Sequence, residues 1–197
     1  MARFVEHDER QHEILEKALD VFVEEGFNDT TFQKVADRVD IRRTTLYQYF
    51  KDKLELFHFS IKQFLCAIED DVMQLARQKE IMAPEKITRA MLVVLKRLET
   101  NRKLLSVILN FLVNDYSDAK ILKYHIRRRT IRFRRIIANL IIDGINAGEI
   151  KPVRVREINE LIFTFIKAAI LELTVLHSDN IDHIISNFEA YVNLLRA

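Results

Sequence analysis

Cysteine occurs once, at Cys66, so the chain can form neither an intrachain disulfide nor a cysteine-based zinc site. Three glycines and two prolines in 197 residues leave few places to interrupt a helix. No alternating run bounded by hairpin turns points to strands, and neither a repeat of fixed period nor a low-complexity tract occurs. The opening segment Met-Ala-Arg-Phe-Val-Glu-His-Asp-Glu-Arg is charged and lacks the apolar stretch of a signal peptide. The longest apolar stretch, residues 161–176, is interrupted by Lys167 and Glu172 and is shorter than the roughly 20 residues needed to span a bilayer. A cytoplasmic protein with no membrane partner is expected. Catalytic signatures are also missing. The histidines (His7, His12, His58, His125, His177 and His183) form no HExxH pair, and neither a GxSxG elbow, a glycine loop for phosphate nor a Cys-His nucleophile pair occurs. His177, Asp179 and His183 straddle a turn, where surface polar residues are a simpler reading than metal ligands. Neither an enzyme nor a cofactor or metal is expected.

Hydrophobic residues make up 49% of the chain, enough to build one small domain and one larger one. The informative segment is residues 30–53. Thr30 or Thr31 can cap a short helix, Thr30 with Gln33 three positions on as in a capping box, and Val35, Ala36 and Val39 give that helix its buried side. Asp40-Ile41 makes a turn, since Asp tolerates the left-handed conformation better than most residues. A second helix begins near Arg42. On a 3.6-residue period Leu46 and Phe50 share one face, while Thr44, Tyr47 and Gln48 share the opposite one. One face packs and the other is free to read DNA. Arg43 sits at the tip where recognition helices reach base edges, and Arg pairs in bidentate fashion with guanine. Tyr47, Tyr49 and Lys53 suit phosphate oxygens. Charge follows the same division: residues 1–30 carry a net −6 and residues 31–53 a net +3, a basic edge able to steer a polyanion.

Residues 10–60 resemble the N-terminal domain of the TetR family of bacterial transcriptional regulators. The resemblance is carried by Ile-Leu-Glu-Lys-Ala-Leu-Asp-Val-Phe-Val-Glu-Glu-Gly-Phe at 14–27, Thr30-Thr31, Val35-Ala36, Leu46-Tyr47-Gln48-Tyr49-Phe50 and Lys51-Asp52-Lys53. It implies DNA-facing roles for Thr31, Gln33, Arg43, Thr44, Tyr47, Gln48, Tyr49 and Lys53, and core roles for Ala18, Phe22, Ala36, Leu46 and Phe50. Two positions depart from the family pattern. Asp40 stands where the family usually has glycine, and Arg42 where it usually has a capping serine. Arg42 is read as an extra phosphate contact that offsets a weaker helix start. A rival reading is a helical dimeric module that binds a ligand or protein and has lost DNA affinity.

The expected fold is therefore all-α with about nine helices. A three-helix helix-turn-helix domain occupies 1–53, and a larger helical effector-binding and dimerisation domain occupies 54–197. Helices are predicted at about 8–25 (stopped by Gly26), 52–78, 84–99, up to 114, from Ser117 or Asp118 to Gly144 or Gly148, 155–177 and 180–195. Residues 161–176 are apolar on every side of the helix, and a helix this small domain covers on one side needs a partner on the other. The predicted dimer interface is Phe165, Ala168, Ala169 and Glu172 with Ile181, Ile184, Ile185, Phe188, Tyr191, Val192 and Leu195. A C2 dimer would set two reading helices about one DNA turn apart on a palindromic operator.

Two features remain. Residues 120–156 carry a net +9, centred on Arg127-Arg128-Arg129, Arg132, Arg134 and Arg135, which serves as a solvated face pairing with acidic neighbours, as a second phosphate-binding surface or as a site for an anionic ligand. Arg129 alone falls within the apolar arc and needs either an internal carboxylate such as Glu172 or the acid group of a ligand. The family resemblance also implies a small-molecule effector bound among the helices of the larger domain. Its expected lining is Phe64, Met91, Leu95, Phe111, Tyr116, Tyr124, Arg129, Phe133 and Phe163.

Overall fold

The computed structural model describes residues 2–114 and 119–197. Among these residues it contains nine helices and no strand: α1 Ala2–Asp29, α2 Phe32–Val39, α3 Arg43–Tyr49, α4 Lys53–Ala76, α5 Ala83–Thr100, α6 Arg102–Val113, α7 Ala119–Asn146, α8 Val155–Thr174 and α9 Asp182–Leu195. The all-α expectation holds. Tyr116, Ser117 and Asp118 lie outside the described residues. Contacts divide the chain into two units, Met1–Cys66 with Ser106–Ile126, and Ala67–Leu105 with Arg127–Ala197. The boundary expected after residue 53 falls inside the first unit, because the early turns of α4 pack with α1 and α6. The unit boundaries therefore fall within α4, α6 and α7, which supply residues to both units.

The first unit is held by an aromatic core. Phe22, Phe57 and Phe111 are each at most 2% exposed. Phe22 meets Phe57 at 4.8 Å, and Phe27 lies 4.9 Å from Phe57 and 4.8 Å from Phe111. Such ring pairs add stabilisation beyond the area they bury. Gly26, at φ +80°, breaks the helical path inside α1, as its place in the sequence predicts. The Thr30 hydroxyl then donates to the Gly26 carbonyl at 2.6 Å and is buried. Thr30 therefore closes the preceding turn, and the predicted Thr30–Gln33 capping box does not form. The cap of α2 is Thr31, whose hydroxyl accepts from the Lys34 amide at 3.2 Å.

The second unit packs α5, α8 and α9 with the later turns of α4 and α7 around Ile87, Met91, Leu95, Ile137, Ile141, Ile162, Leu173 and Phe188. Gly144 lies inside α7 rather than ending it. A Cβ there would fall 2.6 Å from Ile150 Cδ1 and 2.8 Å from Ala83 Cβ, so glycine permits a close approach. Gly148, at φ +71°, makes the turn after the helix. Glu149 then caps a remote helix: its carboxylate accepts from the Ala83 amide at 2.6 Å, at the start of α5. The same loop holds the end of α9, with the Lys151 amide donating to the Leu195 carbonyl at 2.9 Å and the Ala197 amide donating to the Glu149 carbonyl at 3.2 Å.

Candidate nucleic-acid interface

The helix-turn-helix is built as its residues require. α2 buries Phe32, Val35, Ala36 and Val39. Asp40 takes the left-handed conformation at φ 58°, ψ 50°, and the Ile41 amide donates back to the Ala36 carbonyl at 3.0 Å. Outside glycine that conformation costs about 1 kcal/mol or more, which Asp moderates through local hydrogen bonding. α3 then starts at Arg43 with Arg42 as its N-cap, in extended geometry and with no side-chain cap hydrogen bond.

Burial divides α3 as the 3.6-residue period predicts. Leu46 is fully buried and Phe50, just beyond the helix, is 1% exposed, while Arg42, Arg43, Thr44, Tyr47 and Gln48 all face solvent. Tyr49 is half-buried. The Arg43 guanidinium donates to the Tyr47 hydroxyl at 3.1 Å and lies 5.6 Å from its ring centroid, which holds both side chains on the outer surface. Tyr47 packs in turn on Phe32, with centroids 4.7 Å apart. Arg43 thus projects from the first turn of a short, rigidly seated helix, the geometry in which a side chain enters the major groove.

Several basic residues serve other purposes. Lys34 pairs with Glu25 at 2.6 Å, and Arg38 forks onto Glu24, with one contact at 3.0 Å. These pairs tie α2 to the acidic end of α1, so part of the local positive charge is neutralised where it stands. Gln33 reaches the surface but donates to Asp37 at 2.7 Å. Lys53, expected at phosphate, instead donates to the Asn28 carbonyl at 2.9 Å and sits 4.6 Å over the Phe27 ring. Burial pushes its ammonium pKa down, against the pull of Asp29. Lys51 has an exposed side chain and is the better placed of the two lysines. The Lys-Asp-Lys string carried no signal to separate them, since the difference arises from the fold of α1 against α4.

The other predicted residues are dispersed. Phe111 belongs to the aromatic core of the first unit, within 6.0 Å of His58 as well as Phe57, and Tyr124 is 59% exposed. Phe64, on α4, is half-buried in the same unit. A cleft of about 300 Å³ in the first unit is lined by Lys51, Asp52, Leu54, Glu55, His58, Phe59, Ile121 and His125, and includes none of the expected effector residues. In the second unit Met91 and Leu95 are fully buried in the core. Phe133 packs at a tilt against Phe163, with centroids 5.3 Å apart, and the Arg134 guanidinium lies over the Phe163 ring at 4.2 Å. Arg129 does have an internal carboxylate, but it is Glu69 rather than Glu172. Glu69 is 8% exposed, with one oxygen on Arg129 and the other 3.0 Å from Arg132. Burial alone would raise the Glu69 carboxyl, but the hydrogen bonds and charges of the two arginines outweigh it and hold the pKa below the ordinary carboxylate value. Glu172 instead accepts from the Ser178 hydroxyl.

The residues expected at the dimer interface divide by burial. Ala169, Ile181, Ile184, Phe188, Val192 and Leu195 are all buried within this chain's own second unit. Phe165, Ala168, Glu172, Ile185 and Tyr191 are half-buried, with Phe165 5.9 Å from the Tyr191 ring. Burial pushes the Tyr191 phenol pKa up. The large apolar side chains left outside on these helices and just beyond α8 are Leu161, Leu171, Val175, Leu176 and Leu194, between 49% and 72% exposed.

A capped helix, a left-handed turn and a second helix with an outward basic, hydroxyl and amide face define a helix-turn-helix DNA-binding regulator. The family model described as "Bacterial regulatory proteins, tetR family" matches residues 14–58. The chain is 25% identical over 167 residues to the fatty acid metabolism regulator protein of Bacillus subtilis (strain 168), covering 77% of this chain and 76% of the relative. Among solved structures, a TetR transcription regulator from Haloarcula marismortui superposes with a TM-score of 0.82 at 17% identity, covering 96% of this chain and all of that one. FadR from Bacillus subtilis in complex with stearoyl-CoA superposes with a TM-score of 0.65 at 23% identity, covering 92% and 95% of the two chains. Residues 14–58 thus carry the helix-turn-helix domain of the tetR family of bacterial regulatory proteins, the mark of a DNA-binding transcriptional regulator, and the whole chain shares the fold of TetR regulators.

Proposed function

We propose that this chain is a homodimeric repressor that grips a palindromic operator through α3 and releases it when a fatty acyl thioester of coenzyme A binds. The observation that carries the DNA reading is the outward face of α3, where Arg42, Arg43, Thr44, Tyr47 and Gln48 stand opposite buried Leu46. Arg43, Thr44 and Gln48 are assigned to base edges, and Arg42, Tyr47, Tyr49 and Lys51 to the backbone. Thr31 and Gln33 flank the groove from α2.

Dimerisation is assigned to the uncovered side of α8. Leu161, Phe165, Ala168, Leu171 and Val175 fall on one arc of that helix, and apolar area of this kind is normally covered. Such a dimer reads a palindromic operator when its two α3 helices lie in successive major grooves, about 34 Å apart.

The effector class rests on the likeness to the fatty acid metabolism regulator of Bacillus subtilis and to the structure of FadR from that organism in complex with stearoyl-CoA. Met91, Leu95, Phe133 and Phe163 are the residues assigned to the acyl chain. For release, the ligand must bind the DNA-incompetent conformation more tightly than the competent one.

Fluorescence anisotropy with duplex from the chain's own upstream region tests the proposal, with stearoyl-CoA, stearate and free coenzyme A as added ligands. Saturable, sequence-selective binding that stearoyl-CoA alone reverses is the expected result. Weak binding indifferent to sequence overturns the operator reading. Selective binding that stearoyl-CoA leaves intact overturns the effector assignment and retains the operator.

A further inference from the structure

The arginines of α7 fall into two groups once the fold is known. Arg129 and Arg132 both reach Glu69, and Arg134 pairs with Glu160 at 2.6 Å. Arg127, Arg128 and Arg135 are exposed and have no carboxylate partner among the described residues. At about 100° per residue, these three share a single arc of about 100° with Ile131 and Ile142. Ile131 is 48% and Ile142 43% exposed. The neutralised arginines mark the edges of the arc, with Arg132 on one side and Arg134 on the other. α7 carries no acidic residue before Asp143. The outer face of the second unit thus holds a strip about 22 Å long in which unpaired guanidinium groups alternate with bare aliphatic side chains.

We propose that this strip is a docking surface for an anionic phospholipid bilayer. Charge complementarity selects an anionic partner, because three unpaired arginines on one strip attract negative charge and repel positive. The two isoleucines select lipid over nucleic acid. A duplex backbone offers nothing apolar to cover them, whereas the headgroup–acyl boundary accepts aliphatic side chains while long arginines keep their charged ends at phosphate level. That no described helix is long and apolar enough to cross a membrane bears on spanning one, not on lying against it. The expectation of no membrane partner, drawn from the lack of a spanning segment, is revised accordingly. This inference does not depend on the effector assignment.

The test is co-sedimentation of the full chain with vesicles of phosphatidylcholine alone and of phosphatidylcholine mixed with phosphatidylglycerol. Binding to the anionic vesicles only, reversed by salt, is the expected result. Each arginine near an anionic leaflet is worth about fivefold in partitioning, so the combined Arg127→Gln, Arg128→Gln, Arg135→Gln variant should lose about 100-fold. Ile131→Ser with Ile142→Ser should weaken binding several-fold at unchanged salt dependence. Arg42→Gln with Arg43→Gln, on the reading helix, should leave vesicle binding unaltered. All these positions are exposed, and thermal melts check that the variants fold.

Failure of the unmodified chain to bind anionic vesicles overturns the proposal. So does loss of vesicle binding in the Arg42/Arg43 variant instead of the α7 variant. If the arginine variant lowers affinity for duplex DNA and vesicles are not bound, the strip is a second DNA contact. If either α7 variant turns a dimer into a monomer in sedimentation velocity, the strip is a subunit contact and the lipid reading falls.

Discussion

Replacing Arg42 by serine should make the protein more stable and a poorer DNA binder at once. Arg42 occupies the N-cap of α3 in extended geometry, with its side chain exposed and no side-chain hydrogen bond to the helix start. A serine hydroxyl at that site can accept from an amide in the first turn, a gain of about 1 kcal/mol. For a chain of this size that raises the melting temperature by roughly 3 °C. The loss appears in the salt dependence of operator binding. Each neutralised phosphate contributes about 0.9 to the slope of log K against log salt, so a dimer with one Arg42 per subunit loses about 1.8 from that slope. Between about 50 and 200 mM salt, wild-type affinity should then fall roughly twelvefold more than that of the variant. Calorimetric or CD melts give the first quantity, and anisotropy titrations at several salt concentrations give the second. An unchanged slope would refute the phosphate contact. A melting temperature that fails to rise would refute the vacant cap.

Two further substitutions probe the second unit. Glu69→Gln leaves Arg129 partly buried without its counter-charge and should cost about 2 kcal/mol at neutral pH. Because the folded pKa of Glu69 is depressed, its contribution is present above the unfolded value near 4.5 and is lost as pH falls through the lower folded value. The stability gap between wild type and variant, measured by urea titration, should therefore close on acidification below pH 4.5; a gap that widens there contradicts the ion-pair account. Gly144→Ala sets an interior helical gain of about 1 kcal/mol against overpacking of roughly 1–3 kcal/mol. Ile150 Cδ1 can swing aside, but Ala83 Cβ, 2.8 Å away, is fixed to its backbone, so net destabilisation is expected in thermal melts. A stabilised variant would show that α5 and α7 can separate freely at this point.

Much of the DNA-reading unit was legible because its logic is local. Helix periodicity alone separates buried Leu46 and Phe50 from exposed Thr44, Tyr47 and Gln48, and the short span from Thr31 to Asp40 contains its own cap and its own left-handed turn. Gly26 marks the end of the first helical path for the same reason. The second unit was legible in its helices but poorly in its partners. Periodicity identifies an apolar stripe on α9 and suggests a partner subunit as its cover, but the chain's own α5 and α8 cover most of it. Arg129 needed an acid, and the one that reaches it lies 60 residues away on α4. Lys53 and Lys51 look equivalent in sequence, yet only Lys53 is held over Phe27.

The amino-acid order by itself determined the helices, the Thr31 cap, the turn at Asp40 and the outward face of α3, because each depends on residues within a turn or two of one another. Tertiary structure decided which charges remain free to act. Glu69 and Glu160 quench one set of α7 arginines and leave Arg127, Arg128 and Arg135 without a carboxylate partner among the described residues, while Glu24 and Glu25 neutralise the basic residues of α2. Whether a charge is spent or available depends on which distant side chain folding brings within a few ångströms, and no local pattern encodes that distance.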